Sequence, residues 1–128
     1  MTALVVVDAS ALAAVACQEP AGREIRDRLA DRQLVAPDLL GYELTNVAVI
    51  KLRRHPEQAA IIRTGLARVL AENFAIAWSD VDHDTVLELA GRTGLTGYDA
   101  SYLWLARHLD AELVTLDADL QRAAHRVP

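Results

Sequence analysis

The sequence is poor in several residue types, and each shortage narrows what the chain can be. It holds one cysteine, Cys17, so no disulfide can form within it, and a reducing compartment such as the cytosol is expected. It holds one lysine, Lys51, and all its other basic residues are arginines. That bias reports on genome composition more than on function. A phospho-acceptor signalling domain wants a lysine late in the chain, and Lys51 is early, so that class is disfavoured. No apolar run approaches the roughly 20 residues of a membrane span, and no membrane partner is expected. The apolar start, Met1 to Cys17, lacks a basic leading region. Its first basic residue is Arg23, and Asp8 interrupts it, so a signal peptide is not expected.

Glycine is also missing where a nucleotide-binding turn would need it. After the first apolar run the chain reads Asp8-Ala9-Ser10-Ala11, with no glycine. An aspartyl-nucleophile phosphatase would want an acid two residues after Asp8, where Ser10 stands. Serine or cysteine nucleophiles lack a base in any motif, since His55, His83, His108 and His125 read as surface helix residues. Net charge is −5, with 13 basic and 18 acidic residues, which argues against a general coat for nucleic acid.

What is present suits one globular domain over 1–128. The chain is 52% hydrophobic and 24% charged, enough for a core and unlike a disordered tract. Leu4–Val7 reads as a strand buried on both faces. Further strands are expected at Leu34–Ala36, Phe74–Trp78 and Leu113–Leu116. Asp8-Ala9-Ser10 should end the first strand, and helices are expected after it to about Gln18, from Arg23 to Asp31 and from Asp38, as cap, to Arg54. Others should run from Pro56 to Glu72, from Ser79 or Asp80 to Gly91 or Gly94, from Thr96 to Leu109, and after Asp117. This alternation predicts an α/β fold, three layers α/β/α, around a mostly parallel sheet of four or five strands.

In such sheets, sites form beyond the carboxyl ends of the strands, where Asp8 and Asp117 fall. Either could simply cap the following helix, and capping leaves oxygens free for a ligand. Glu43 shares a helical stripe with Leu39, Val47 and Ile50, so its charge should face inward. That is costly unless a metal or a partner such as an arginine compensates it. Asp99 lies with Leu95, Leu103 and Ala106; alternatively it closes a reciprocal cap with Thr96. Ionised pairs at about 6 Å repel by roughly 3 kcal/mol at an effective dielectric of 20. Four acids together therefore call for a hard divalent cation, Mg²⁺ or Mn²⁺, one or two ions. Ser10 and Thr115 can support strand-end acids, or cap locally. Asp119 is an outer candidate, or a solvated residue of a first helical turn.

Four segments carry a family resemblance: Val5-Val6-Val7-Asp8-Ala9-Ser10, Ala36 to Asn46, Leu95-Thr96-Gly97-Tyr98-Asp99-Ala100, and Leu113 to Leu120 with its Thr-x-Asp-x-x-Leu ending. In order and spacing the chain resembles the PIN domain, in particular the VapC toxins of type II toxin–antitoxin pairs. Leu52 to Arg92 carries no motif. The resemblance implies an endoribonuclease whose metal ions sit on Asp8, Glu43, Asp99 and Asp117. It also implies a homodimer inhibited by a small cognate antitoxin. Asp8 and Asp99 are then expected as inner ligands. Glu43 and Asp117 would bind directly or through water. Arg53 and Arg54 are candidate RNA-backbone contacts; otherwise they form a solvated helix end. The competing reading is a non-catalytic module with this fold that binds a partner protein or RNA, because Leu40, Leu44, Val49 and Leu52 spread apolar surface around the helix from Asp38.

Overall fold

The computed structural model describes residues 3–72 and 74–126. Four strands form one sheet in the order β3-β2-β1-β4: β1 Leu4–Val7, β2 Gln33–Pro37, β3 Ile76–Ser79 and β4 Glu112–Val114. Every pairing is parallel, with Val6 opposite Val35 on one side and Leu113 on the other. Val5, Val6 and Val7 have no solvent exposure, as a central parallel strand covered on both faces requires. All four strands therefore deliver their carboxyl ends to the same edge.

Seven α-helices fill the connections among the described residues. They are α1 Ala9–Ala16, α2 Gly22–Leu29, α3 Leu39–Arg54, α4 Ala59–Ala67, α5 His83–Thr93, α6 Gly97–His108 and α7 Ala118–Arg126. Helix α1 packs on α2, α3 and α4, while α6 packs on α5, α7 and three of the strands. Leu12, Ile25, Leu29, Leu34, Leu103 and Leu105 are among the side chains that close the core. The edge strand β4 carries Glu112, which accepts from Arg28 at 2.8 Å and Arg32 at 2.9 Å. Charge of this kind discourages further strand pairing.

The expected elements are present, with shifts at their ends. The third strand starts at Ile76 and the fourth ends at Val114, two residues before the expected limit. Thr115 lies just beyond the ladder, and its hydroxyl donates to Asp8. The helix expected from Pro56 to Glu72 is three pieces: a 3₁₀ turn at Pro56–Gln58, α4, and a π turn at Arg68–Glu72. Helix α5 begins at His83, later than expected, and Gly94 ends it with φ of 76°, a conformation that suits glycine. Asp38 precedes α3 but is already helical, and its side chain caps nothing.

The stripe assigned to Glu43 is corrected by one position. The buried face of α3 is Leu40, Leu44 and Ala48. Leu39 and Val47 are half-buried and Ile50 is exposed. Glu43 therefore sits on the border of the core, where its carboxylate can face a cleft.

Candidate active site

The short turn from β1 into α1 sets the most constrained acid. Asp8 is only 4% exposed, and its extended backbone makes it the N-cap of α1. Its Oδ1 accepts from the Ala11 amide at 3.1 Å and from the Ser10 hydroxyl at 2.7 Å. Its Oδ2 accepts from the Thr115 hydroxyl at 2.5 Å. Each hydroxyl carries one hydrogen, and both are spent on Asp8. The 3.3 Å contact between Ser10 and Thr115 is therefore not a second donation. Their lone pairs accept instead: Ser10 from the Leu116 amide at 2.9 Å, and Thr115 from the Asp117 amide at 3.0 Å. The ends of β1 and β4 are stitched into one unit, and both expected supporting residues take part. Burial raises the Asp8 pKa above the ordinary carboxylate value, with the three hydrogen bonds opposing it.

Asp117 caps α7, since its Oδ1 accepts from the Leu120 amide at 2.9 Å. Glu43 projects from the first turns of α3. Its Oε1 accepts from the Tyr102 hydroxyl at 2.6 Å, and no arginine pairs with it among the described residues. Partial burial raises the Glu43 pKa, and the Tyr102 bond counters this.

Asp99 is the exception. Thr96 caps α6 by accepting from the Asp99 amide at 3.1 Å, but the reciprocal half of that cap is not made. The Asp99 carboxylate accepts no hydrogen bond among the described residues. It is half-buried, and its pKa is pushed up to about 6, first by desolvation and then by the charges of Asp117, Glu43, Asp8 and Asp119. The four predicted acids therefore share one electrostatic basin at the carboxyl edge of the sheet. The basin is looser than expected: among the described residues no three acidic, histidine or cysteine side chains close on a common ion position. Asp119 lies beside this basin but pairs with Arg122 on its own helix. Arg53 and Arg54 are exposed at the last turn of α3, ten residues or about 15 Å of helix beyond Glu43. They are not brought to the acids.

The donor set fits a hard divalent cation. It consists of carboxylate oxygens, with hydroxyls holding one carboxylate in place and a phenol holding another. Mg²⁺ keeps several waters and needs only one or two carboxylates, so a loose acidic basin with one free carboxylate matches its demands. Tyr102 was not singled out in the sequence. Its place in the apolar run of α6 reads as core, and it is core apart from its hydroxyl.

A parallel α/β sheet whose carboxyl edge gathers acids from the turns after β1 and β4 and from α3 and α6 defines an acidic-site α/β domain. The family model for the PIN domain matches residues 5–126, and the chain belongs to that family. PIN domains are in general nucleases, and they generally use divalent metal ions. Among solved structures, the crystal structure of PAE2754 from Pyrobaculum aerophilum is similar, at 30% identity and a TM-score of 0.77. The match covers 96% of this chain and 86% of that one. No curated protein matches.

Proposed function

We propose that this PIN domain is a Mg²⁺- or Mn²⁺-dependent endoribonuclease that hydrolyses RNA phosphodiester bonds, acting as the toxin of a type II toxin–antitoxin pair. The observation that carries the reading is the half-buried Asp99 carboxylate, which accepts no hydrogen bond among the described residues and whose ionisation the charges of Asp117, Glu43 and Asp8 oppose. Asp8 and Asp99 would hold one or two ions, with Glu43 and Asp117 bound directly or through water. The ion, when bound, supplies an activated water and offsets charge on the phosphate and leaving oxygen. Ser10 and Thr115 keep Asp8 in one rotamer, and Tyr102 does the same for Glu43, so these carboxylates are preorganised.

The family resemblance of the motifs supports a homodimer and a small antitoxin as partners, in the cytosol. Exposed apolar residues support a protein-binding surface: Tyr42 is 77% exposed, Leu87 71% and Tyr98 63%. No helix among the described residues is long and apolar enough to cross a membrane.

The test is cleavage of a single-stranded RNA with Mn²⁺ or with EDTA, by wild type and Asp99→Asn. Activity that needs Mn²⁺ and is lost in the variant is expected. Cleavage that survives both changes excludes this mechanism. Absence of cleavage favours the non-catalytic binding module.

A further inference from the structure

A second feature adjoins the acids and is not used by them. A cleft of about 430 Å³ opens beside Asp99, between the end of α5 and one face of α7. From α7 it is lined by Asp119, Arg122, Ala123 and Arg126, spaced i, i+3, i+4 and i+7, so all four share one helical face. Arg92 comes from the last turn of α5 on the other wall. Arg122 is paired with Asp119, so that couple contributes no net charge. Arg92 and Arg126 make no ion pair among the described residues. With Asp99, which also lines it, set against Arg92 and Arg126, the cleft carries an excess of one positive charge, in a chain whose net charge is −5.

We propose that this cleft is the track for the RNA strand next to the scissile bond, with Arg92 and Arg126 holding flanking phosphates. The proposal rests on the nuclease reading and adds to it a named binding surface. An anionic strand is repelled by a basin of acids and by an acidic protein, so attraction has to be local. The cleft supplies it at a place continuous with Asp99. A strand lying there would pass beside Asp99, which lines the same cleft. Guanidinium groups suit phosphate because their fork of donors matches its oxygens. Contacts to phosphate position a strand without reading its sequence.

The experiment uses fluorescence anisotropy with a labelled single-stranded 12-mer RNA of mixed sequence and Mn²⁺. The background is Glu43→Gln, which keeps an oxygen acceptor for Tyr102 and prevents turnover. Arg92→Gln/Arg126→Gln is compared with Arg23→Gln/Arg63→Gln, which removes the same charge from exposed positions outside the cleft. The cleft variant should weaken binding by about tenfold or more. It should also flatten the slope of log affinity against log salt by roughly 1.4, two contacts at about 0.7 each. With Glu43 restored, KM should rise more than kcat falls. The control variant should leave the slope unchanged. An unchanged slope in the cleft variant, equal losses in both variants, or lost affinity for an acidic peptide without lost affinity for RNA, overturns the proposal. In those cases cleavage by wild type leaves the nuclease reading standing. A wild type that neither cuts nor binds RNA overturns both.

Discussion

The Tyr102 hydroxyl donates to Glu43 Oε1 at 2.6 Å, tying α6 to α3 across the site. Burial, the Glu43 bond and nearby carboxylates raise the phenol pKa well above its usual value, so Tyr102 stays a donor at any working pH. The bond ties together two residues 59 positions apart and leaves Glu43 one oxygen for a ligand.

Tyr102→Phe should lower stability by about 1.5–3 kcal/mol, the range for a hydrogen bond to a charged group, as read by urea unfolding. Mn²⁺ titration of the melting temperature should also shift to higher concentration, because Glu43 is no longer held in one orientation. Lost stability with an unmoved Mn²⁺ midpoint would show that Tyr102 serves only the core.

Thr115→Val should cost about 3 kcal/mol by the same measurement, because two groups lose partners at once. Asp8 Oδ2 loses its donor and the Asp117 amide loses its acceptor. A cost below about 1 kcal/mol would mean that water replaces the hydroxyl easily.

Asp99→Asn should make the metal-free protein more stable at pH 7 while abolishing cleavage. The Asp99 pKa is about 6 in the fold, against an ordinary 3.8. Between those values the folded chain holds a proton that the unfolded chain has released. Ionisation therefore opposes folding, fully above pH 6 and not at all below about 3.8. Solvent reaches this half-buried group, so the gain should be on the order of 1 kcal/mol after screening. Melting temperatures of the two proteins should converge as pH falls to 4, and Mn²⁺ should reverse their order at pH 7. A variant that melts lower than wild type at pH 7 without metal would refute the repulsion.

Two helical glycines should respond oppositely to alanine. At Gly65 in α4 an added Cβ would lie 1.9 Å from the Ala16 carbonyl oxygen, forcing α1 and α4 apart. Gly65→Ala should cost about 3 kcal/mol. At Gly91 in α5 nothing lies within 4 Å, so Gly91→Ala should stabilise by about 0.5–1 kcal/mol. Urea midpoints for the pair check both signs.

Much of the fold could be read from local pattern. The Val5-Val6-Val7 run, the break at Asp8, the Thr96 cap and Gly94 each act over a few residues, so sequence order alone shows them. The three-piece segment Pro56–Glu72 reads as one helix in the sequence because a π turn keeps helical composition. The stripe that Glu43 shares with Leu39 and Val47 borders the core instead of filling it, because α3 is apolar around much of its circumference and only packing chose Leu40, Leu44 and Ala48 as the buried face. Arg53 and Arg54 are legible as exposed charges at a helix end, while their distance from the acids follows from the length of α3.

By itself the sequence determined which carboxylates end strands or interrupt helices, and that strands alternate with helices in one parallel sheet. Those properties follow from backbone propensities and side-chain period, which act over a turn or two. Only the tertiary structure decided that Tyr102 rather than an arginine holds Glu43, that Ser10 and Thr115 both clamp Asp8, and that Arg92 and Arg126 border Asp99. Each depends on how helices seat against the sheet and which rotamers that seating allows, a choice made by close packing of the whole core.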